Sequence, residues 1–238
     1  MARFVLPPTV LCSHPVLQSG LKQLGVRWNR ADMTMDIGTR LPSKDGDSIW
    51  VGCPLRVHRR CDEPMFTISN RIAYGGLMVN GKASVNSVLP ASCWFDVRGD
   101  TQNGHWVPAE GEAARDLLET LIRHYRMGPD NLFLITPFRD CANKLTKLAD
   151  DMALDKQKAG TIHTAQGREA DIVILVLGSG GQSGSKNWVA EKPNMLNVAV
   201  SRAKKRLYII GDRAGWNRCR YFDEAVRQLP VAKLREAS

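Results

Sequence analysis

Three short apolar runs constrain the fold most: Leu132-Phe-Leu-Ile135, Ile172-Val-Ile-Leu-Val-Leu177 and Leu207-Tyr-Ile-Ile210. Their length and unbroken apolar character suit strands buried on both faces. Segments of helical periodicity separate them. The first opens at Pro108-Ala-Glu-Gly-Glu112, with acidic residues in its first turn where they complement the helix dipole. Ala114, Leu117, Leu118, Leu121, Ile122 and Tyr125 continue it along one face, and Gly128-Pro129 ends it. A second helix is expected through Leu145 and Leu148, and a third over residues 194–203. Residues 91–97 read as a further strand. Apolar strands alternating with amphipathic helices define an α/β fold, with a mostly parallel sheet covered by helices on both faces.

The N-terminal part is less patterned. Residues 1–50 form a lead-in segment in which Pro15 to Leu24 fits a short helix and Lys44-Asp-Gly-Asp47 a turn. The pattern sharpens at Val51, so the α/β domain is expected over residues 51–238. A length of 238 residues, 43% hydrophobic and 24% charged, is enough to bury a sizeable core in a soluble protein. The net charge of +9 suits a polyanionic partner such as nucleic acid, although a basic protein without such a partner fits it equally. The six cysteines are scattered, with no zinc-ligand spacing, so no metal site is expected and a reducing compartment fits. The apolar stretch over residues 4–12 is interrupted by Pro7-Pro8 and makes a poor signal peptide. No run approaches the roughly 20 apolar residues of a membrane span, and a cytoplasmic location is expected.

Two segments imitate phosphate-binding loops. Gly76-Leu-Met-Val-Asn-Gly81-Lys82-Ala83 keeps a Walker A spacing until its last position, where Ala83 lacks the hydroxyl that binds magnesium. It also lacks a buried strand before it and a helix after it. Gly178-Ser-Gly-Gly-Gln-Ser-Gly-Ser185 follows a strand but has no Gly-Lys-Ser/Thr ending, and reads as a flexible surface loop. Neither is expected to bind phosphate.

Two polar clusters carry the strongest signal. Gln166-Gly-Arg-Glu169, with His163 three residues upstream, precedes the run at 172–177. Asn197, Ser201, Arg202 and Lys204 precede the run at 207–210. Together they closely resemble motifs V and VI of superfamily 1 DNA/RNA helicases, near the nonsense-mediated-decay and replication-nuclease-associated members. Residues 55–74, centred on Arg60, resemble the motif IV region, with His58 where Gln is common and Arg59 where Tyr is common. Leu134-Ile-Thr136-Pro-Phe-Arg139 is similar to a family segment along which the nucleic-acid strand passes.

The resemblance covers about residues 51–215 and implies the second, RecA-like motor domain of the P-loop NTPase superfamily. Such a domain has no Walker A loop of its own and closes over ATP and Mg2+ bound to a first, P-loop domain, in cis or in trans. Arg202 then corresponds to the arginine finger, and Arg60 to an arginine that reaches the γ-phosphate. A guanidinium suits that role because its rigid fork of donors matches phosphate oxygens. Gln166 and Gly167 would sit between channel and nucleotide, and Glu169 would hydrogen-bond the ribose. Thr136, Arg139, His163 and Thr164 would face single-stranded DNA or RNA. A non-catalytic nucleic-acid-binding or interaction module is the alternative. Under either reading, the chain by itself is expected to hydrolyse no ATP.

Overall fold

The computed structural model describes residues 39–42, 48–51, 57–82, 87–165, 167–180 and 182–232, and the chain divides into two compact units, Met1–Val57 and His58–Ser238. In the first, β1 (Thr39–Pro42) pairs antiparallel with β2 (Ser48–Val51), Thr39 opposite Val51 and Pro42 opposite Ser48. The turn expected at residues 44–47 and the helix expected over 15–24 lie outside the described residues. β2 runs across the 50/51 position at which the sequence pattern changes.

From Val57 onward the elements are β3 (Val57–His58), α1 (Met65–Ala73), β4 (Val79–Asn80), β5 (Cys93–Asp96), α2 (Pro108–Glu119), β6 (Leu132–Thr136), α3 (Arg139–Asp151), β7 (Ala159–Thr161), β8 (Ala170–Val176), α4 (Ser183–Val189), α5 (Asn194–Arg202), β9 (Ala203–Gly211), α6 (Arg213–Trp216), α7 (Phe222–Gln228) and β10 (Val231–Ala232). Six strands form one sheet in the order β10-β5-β9-β8-β6-β7, and every neighbouring pair is parallel. β3 and β4 make a separate two-stranded sheet. After α2 the chain closes one wider turn over Thr120–His124, with the Tyr125 N–H donating to the Thr120 carbonyl at 3.3 Å. Among the described residues no helix is long and apolar enough to cross a membrane.

The strand period of two sorts the core onto two faces. Phe133, Ile135, Val173, Leu175, Leu207 and Ile209 pack with Met65 and Ile68 of α1, Leu196 and Val200 of α5 and Phe222 of α7. The alternate residues Leu132, Leu134, Ile172, Ile174, Tyr208 and Ile210 pack with Leu117 and Leu118 of α2 and Leu145 and Leu148 of α3. Continuous apolar runs are what a parallel strand needs when helices cover both its sides. Each such Ile or Leu contributes about 1.5–3 kcal/mol by leaving water.

Two features of this topology position the polar residues. β8 and β9 are adjacent with Ala170 opposite Ala203, so Glu169 and Arg202, each preceding its strand, lie at the same amino edge of the sheet. At the carboxyl ends of β6 and β7, the region where open α/β sheets form ligand crevices, the chain leaves a groove.

The glycine-rich stretch after β8 differs from the expected surface loop. Gly178, Ser179 and Gly180 are buried, and α4 begins at Ser183. The Gly178 N–H donates to Glu110 Oε2 at 2.7 Å, and the Ser179 N–H donates to the His105 carbonyl at 2.7 Å. Gly178 has φ +64°, and a Cβ there would stand 2.8 Å from the His105 oxygen and 2.9 Å from Cys141 Sγ. Glycine is required by both conformation and space.

Candidate functional site

At the amino edge three charged side chains converge. Glu169 accepts from Lys204 Nζ at 2.9 Å and forms an ion pair with Arg60, whose Nε stands 3.3 Å away. The Lys204 hydrogen bond, and then the Lys204, Arg60 and Arg202 charges, hold the Glu169 carboxyl below the usual carboxylate range. Arg60 and Lys204 come together because their backbones are tied: the Asp62 N–H donates to the Lys204 carbonyl at 3.0 Å. Lys82, the lysine of the Walker-like segment, forms an ion pair with Asp62 at 2.7 Å and donates to the Lys204 carbonyl at 3.0 Å. It serves this junction, and the segment before it is the short strand β4 instead of a phosphate loop.

Arg202 is turned inward. Only 7% exposed, it donates Nη1 to the Arg168 carbonyl at 3.0 Å, Nη2 to Ser201 Oγ at 3.3 Å and Nε to the Val198 carbonyl at 3.3 Å. Burial, and then the Arg60 charge, lower its pKa from the ordinary arginine value. The open position implied for a finger is therefore not the position it holds. Two donors go to the Val198 carbonyl of its own helix and the Arg168 carbonyl just before β8, and a third to the Ser201 hydroxyl.

The His58 Nε2 accepts from the Cys61 N–H at 3.1 Å. Burial, then the Arg60 and Lys82 charges, lower its pKa and favour this neutral, accepting ring. Gly167 has φ +82° with open space around a Cβ position, so its backbone conformation alone calls for glycine. Gln166 lies outside the described residues.

The groove at the other end has a volume of about 1410 Å³. It brings together Arg139 at the start of α3, His163 and Thr164 after β7, Arg168, and Ser185 and Trp188 of α4. Thr164 is held by its own turn, with Oγ1 donating to the Thr161 carbonyl at 2.9 Å. Thr136 does not join them. It is fully buried at the end of β6, where its Oγ1 faces the Phe138 N–H at 3.5 Å and its carbonyl accepts from the Ile162 N–H at 2.9 Å. Threonine at this strand end serves the turn, which explains why a Thr-Pro pair alone says little about ligand contact.

The groove floor is built from residues that carry no sequence motif. His105 stacks on Phe138 with ring centroids 4.0 Å apart and planes 4° apart. Its Nδ1 lies 3.2 Å from Asp140 Oδ1 and its Nε2 3.0 Å from Ser185 Oγ. Partial burial raises the Asp140 pKa, but the His105 N–H, charge and ring hydrogen bond outweigh it and leave the pKa below the ordinary value. Glu110, in the first turn of α2 as expected, is only 1% exposed. Burial pushes its carboxyl up to about 8, with the Gly178 N–H and Lys186 pulling the other way. Lys186 is itself buried and paired with Asp212 at 3.4 Å. No local motif marks these contacts, since His105, Asp140 and Ser185 are joined only by the fold.

A parallel sheet with helices on both faces, carrying polar clusters before β8 and β9, agrees with the superfamily 1 helicase-like C-terminal domain that the sequence resembles. A family model described as an AAA domain, AAA_12, matches residues 51–214, and the chain belongs to that family. The DNA polymerase alpha-associated DNA helicase A of Saccharomyces cerevisiae is 28% identical over 137 residues, 53% of this chain and 20% of that protein. The DNA replication ATP-dependent helicase/nuclease DNA2 of Gallus gallus is 22% identical over 160 residues, 66% of this chain and 16% of that protein. The chain thus spans a fifth or less of the length of these relatives. The crystal structure of the C-terminal domain of a possible DNA helicase from Lactobacillus plantarum aligns with 64% of this chain and 86% of that one, at 15% identity and a TM-score of 0.41.

Proposed function

We propose that this chain supplies the second RecA-like half of an ATP-dependent superfamily 1 helicase motor. The observation that carries the reading is the convergence at the amino edge, where Arg60 and Lys204 meet on Glu169 and Arg202 lies close enough to feel the charges of Arg60 and Glu169. A first domain with a P-loop, in cis or in trans, would hold ATP and Mg2+. Guanidinium and ammonium groups fit the polyphosphate that such a domain would present, and Glu169 fits the hydroxyls of a ribose.

In this reading the cluster is a latch. While Glu169 holds Arg60 and Lys204, the cations are screened and partly neutralised. A polyphosphate approaching across the cleft offers them a second, more highly charged acceptor. Arg60, whose side chain is 45% exposed, can swing to it without a burial penalty. Arg202 would need to exchange the Arg168 carbonyl for phosphate oxygen, a larger rearrangement. Domain closure would bring both arginines to the leaving phosphoryl group, where an arginine finger accelerates transfer by about three to five decades. Closing and reopening would move the groove relative to strand contacts on the other domain, turning hydrolysis into translocation.

Fusion of the chain to the P-loop domain of a related helicase tests this. Strand-stimulated ATP turnover that Arg60→Ala depresses by orders of magnitude is the expected result. Turnover unaffected by Arg60→Ala and Arg202→Ala would leave these arginines as structural partners. The inward turn of Arg202 favours one second reading, a nucleic-acid-binding module without catalysis. That reading predicts strand binding by the chain and no turnover in any fusion.

A further inference from the structure

Among the described residues that line the groove, Trp188 is the exposed large aromatic. Its side chain is 52% exposed although its neighbours Lys186 and Val189 on α4 are buried. An indole left half in water, at the rim of a large groove, forgoes burial worth a few kcal/mol. The ring is also backed on its inner side. Phe138 lies 6.2 Å away at 36°, and Phe138 in turn stacks on His105. His105 is pinned at both ring nitrogens, by Asp140 and by Ser185 on the helix that bears Trp188. The three rings therefore form a braced aromatic run with one open end.

The surroundings select the ligand. Arg139 and Arg168 line the same groove, and Asp140, the one carboxylate among its described lining residues, is engaged by the His105 ring and N–H. A planar aromatic face beside cationic side chains complements a polyanion that carries aromatic rings, and an unpaired nucleic-acid strand has that chemistry. An apolar peptide would meet the ring but not the cations.

We propose that Trp188 is a nucleobase-stacking platform, so that a single strand in this groove is held through a base as well as through its phosphates. This rests on the groove being the strand-binding face of the proposed motor half, and adds to it a base subsite. Stacking is tolerant of base identity, because every base has a π-face, so the subsite reads the presence of a base without reading sequence. Bracing by Phe138 and His105 keeps the ring in place before the strand arrives and lowers the ordering cost of binding.

The test uses the full chain at low salt and fluorescence anisotropy with two labelled strands of equal length and charge. One is oligodeoxythymidine and the other a fully abasic sugar-phosphate strand. The wild type should prefer the strand with bases by about tenfold, the worth of one stacked base. Trp188→Ala should lose that preference and bind both strands at the abasic level, whereas Trp188→Phe should retain most of it. Equal binding of the two strands by the wild type, or an unchanged preference in Trp188→Ala, overturns the proposal; a tryptophan reserved for a protein partner would give that result. Phosphate contact is read separately, because Arg139→Ala should weaken both strands alike. If neither strand binds the wild type, the groove reading falls together with the subsite.

Discussion

The two polar regions of the second unit are built on opposite plans. At the amino edge of β8 and β9 the charges close on one another. Arg60 and Lys204 share Glu169, and Arg202 is buried on backbone carbonyls. At the carboxyl ends of β6 and β7 the groove stays open, with an exposed indole braced from behind and Arg139 and His163 along it. The difference suits two kinds of ligand. A compact polyphosphate delivered by another domain can displace ion pairs one at a time, whereas a flexible strand needs a preformed surface. The pairing at the edge also limits what each residue does for the fold. Arg60 and Glu169 are 45% and 39% exposed, so water screens the pair and its worth to stability is small.

The largest expected effect lies in rate. In a P-loop fusion, Arg202→Ala should lower ATP turnover by about a thousandfold or more, and the chain alone should show none. Phosphate release measured with and without an oligodeoxythymidine strand checks both. Robust turnover by the isolated chain would erase the distinction between an edge that awaits a partner and a groove that works alone.

A proton-linked effect on stability comes next, on the groove side. Glu110 anchors Gly178, which leads into α4, and its pKa rises from 4.5 to about 8 on folding. A raised carboxyl pKa means the folded state holds the proton more tightly. Its contribution is complete below about pH 4.5 and is lost as the pH climbs to about 8. Glu110→Gln keeps an acceptor for the Gly178 N–H without the charge. It should remove on the order of a few kcal/mol of that decline, read as the difference between wild-type and variant unfolding free energies over this range. Parallel pH curves for the two proteins would show that Glu110 does not titrate as described.

Smaller effects separate the arginines. Arg202→Ala leaves a buried gap and the unpaired Arg168 carbonyl, and should cost about 1–3 kcal/mol in denaturant unfolding. Arg60→Ala should cost less than about 1 kcal/mol, as should Lys205→Ala, which removes an exposed partner of Asp171. Equal costs at Arg60 and Arg202 would mean the edge cluster is one structural network.

The sheet could be read from the sequence because a strand covered on both faces must be apolar throughout, which residues 172–177 and 207–210 are. The edge cluster was readable for a related reason: Glu169 and Arg202 each precede a buried strand, and parallel pairing of those strands brings them together. Thr136 illustrates the limit, since a strand-end threonine looks the same whether its hydroxyl faces a ligand or its own turn. The groove floor was hidden more deeply. His105, Asp140 and Ser185 come from three separate connections, and only the crossover of the chain makes them neighbours. Glu110 does stand in the first turn of its helix, but helix periodicity does not reveal that the Gly178 N–H lies against its carboxyl.

The most direct measurement compares Arg60→Ala with Arg139→Ala in the same P-loop fusion, reading ATP turnover at saturating strand and strand affinity across a salt series. Arg60→Ala is expected to lose turnover by orders of magnitude and to keep its affinity. Arg139→Ala should keep its turnover, bind several-fold more weakly and lose about one unit of salt slope, as expected for one phosphate contact. If each variant impairs both properties to a similar degree, the edge and the groove are one site and the division drawn here is wrong.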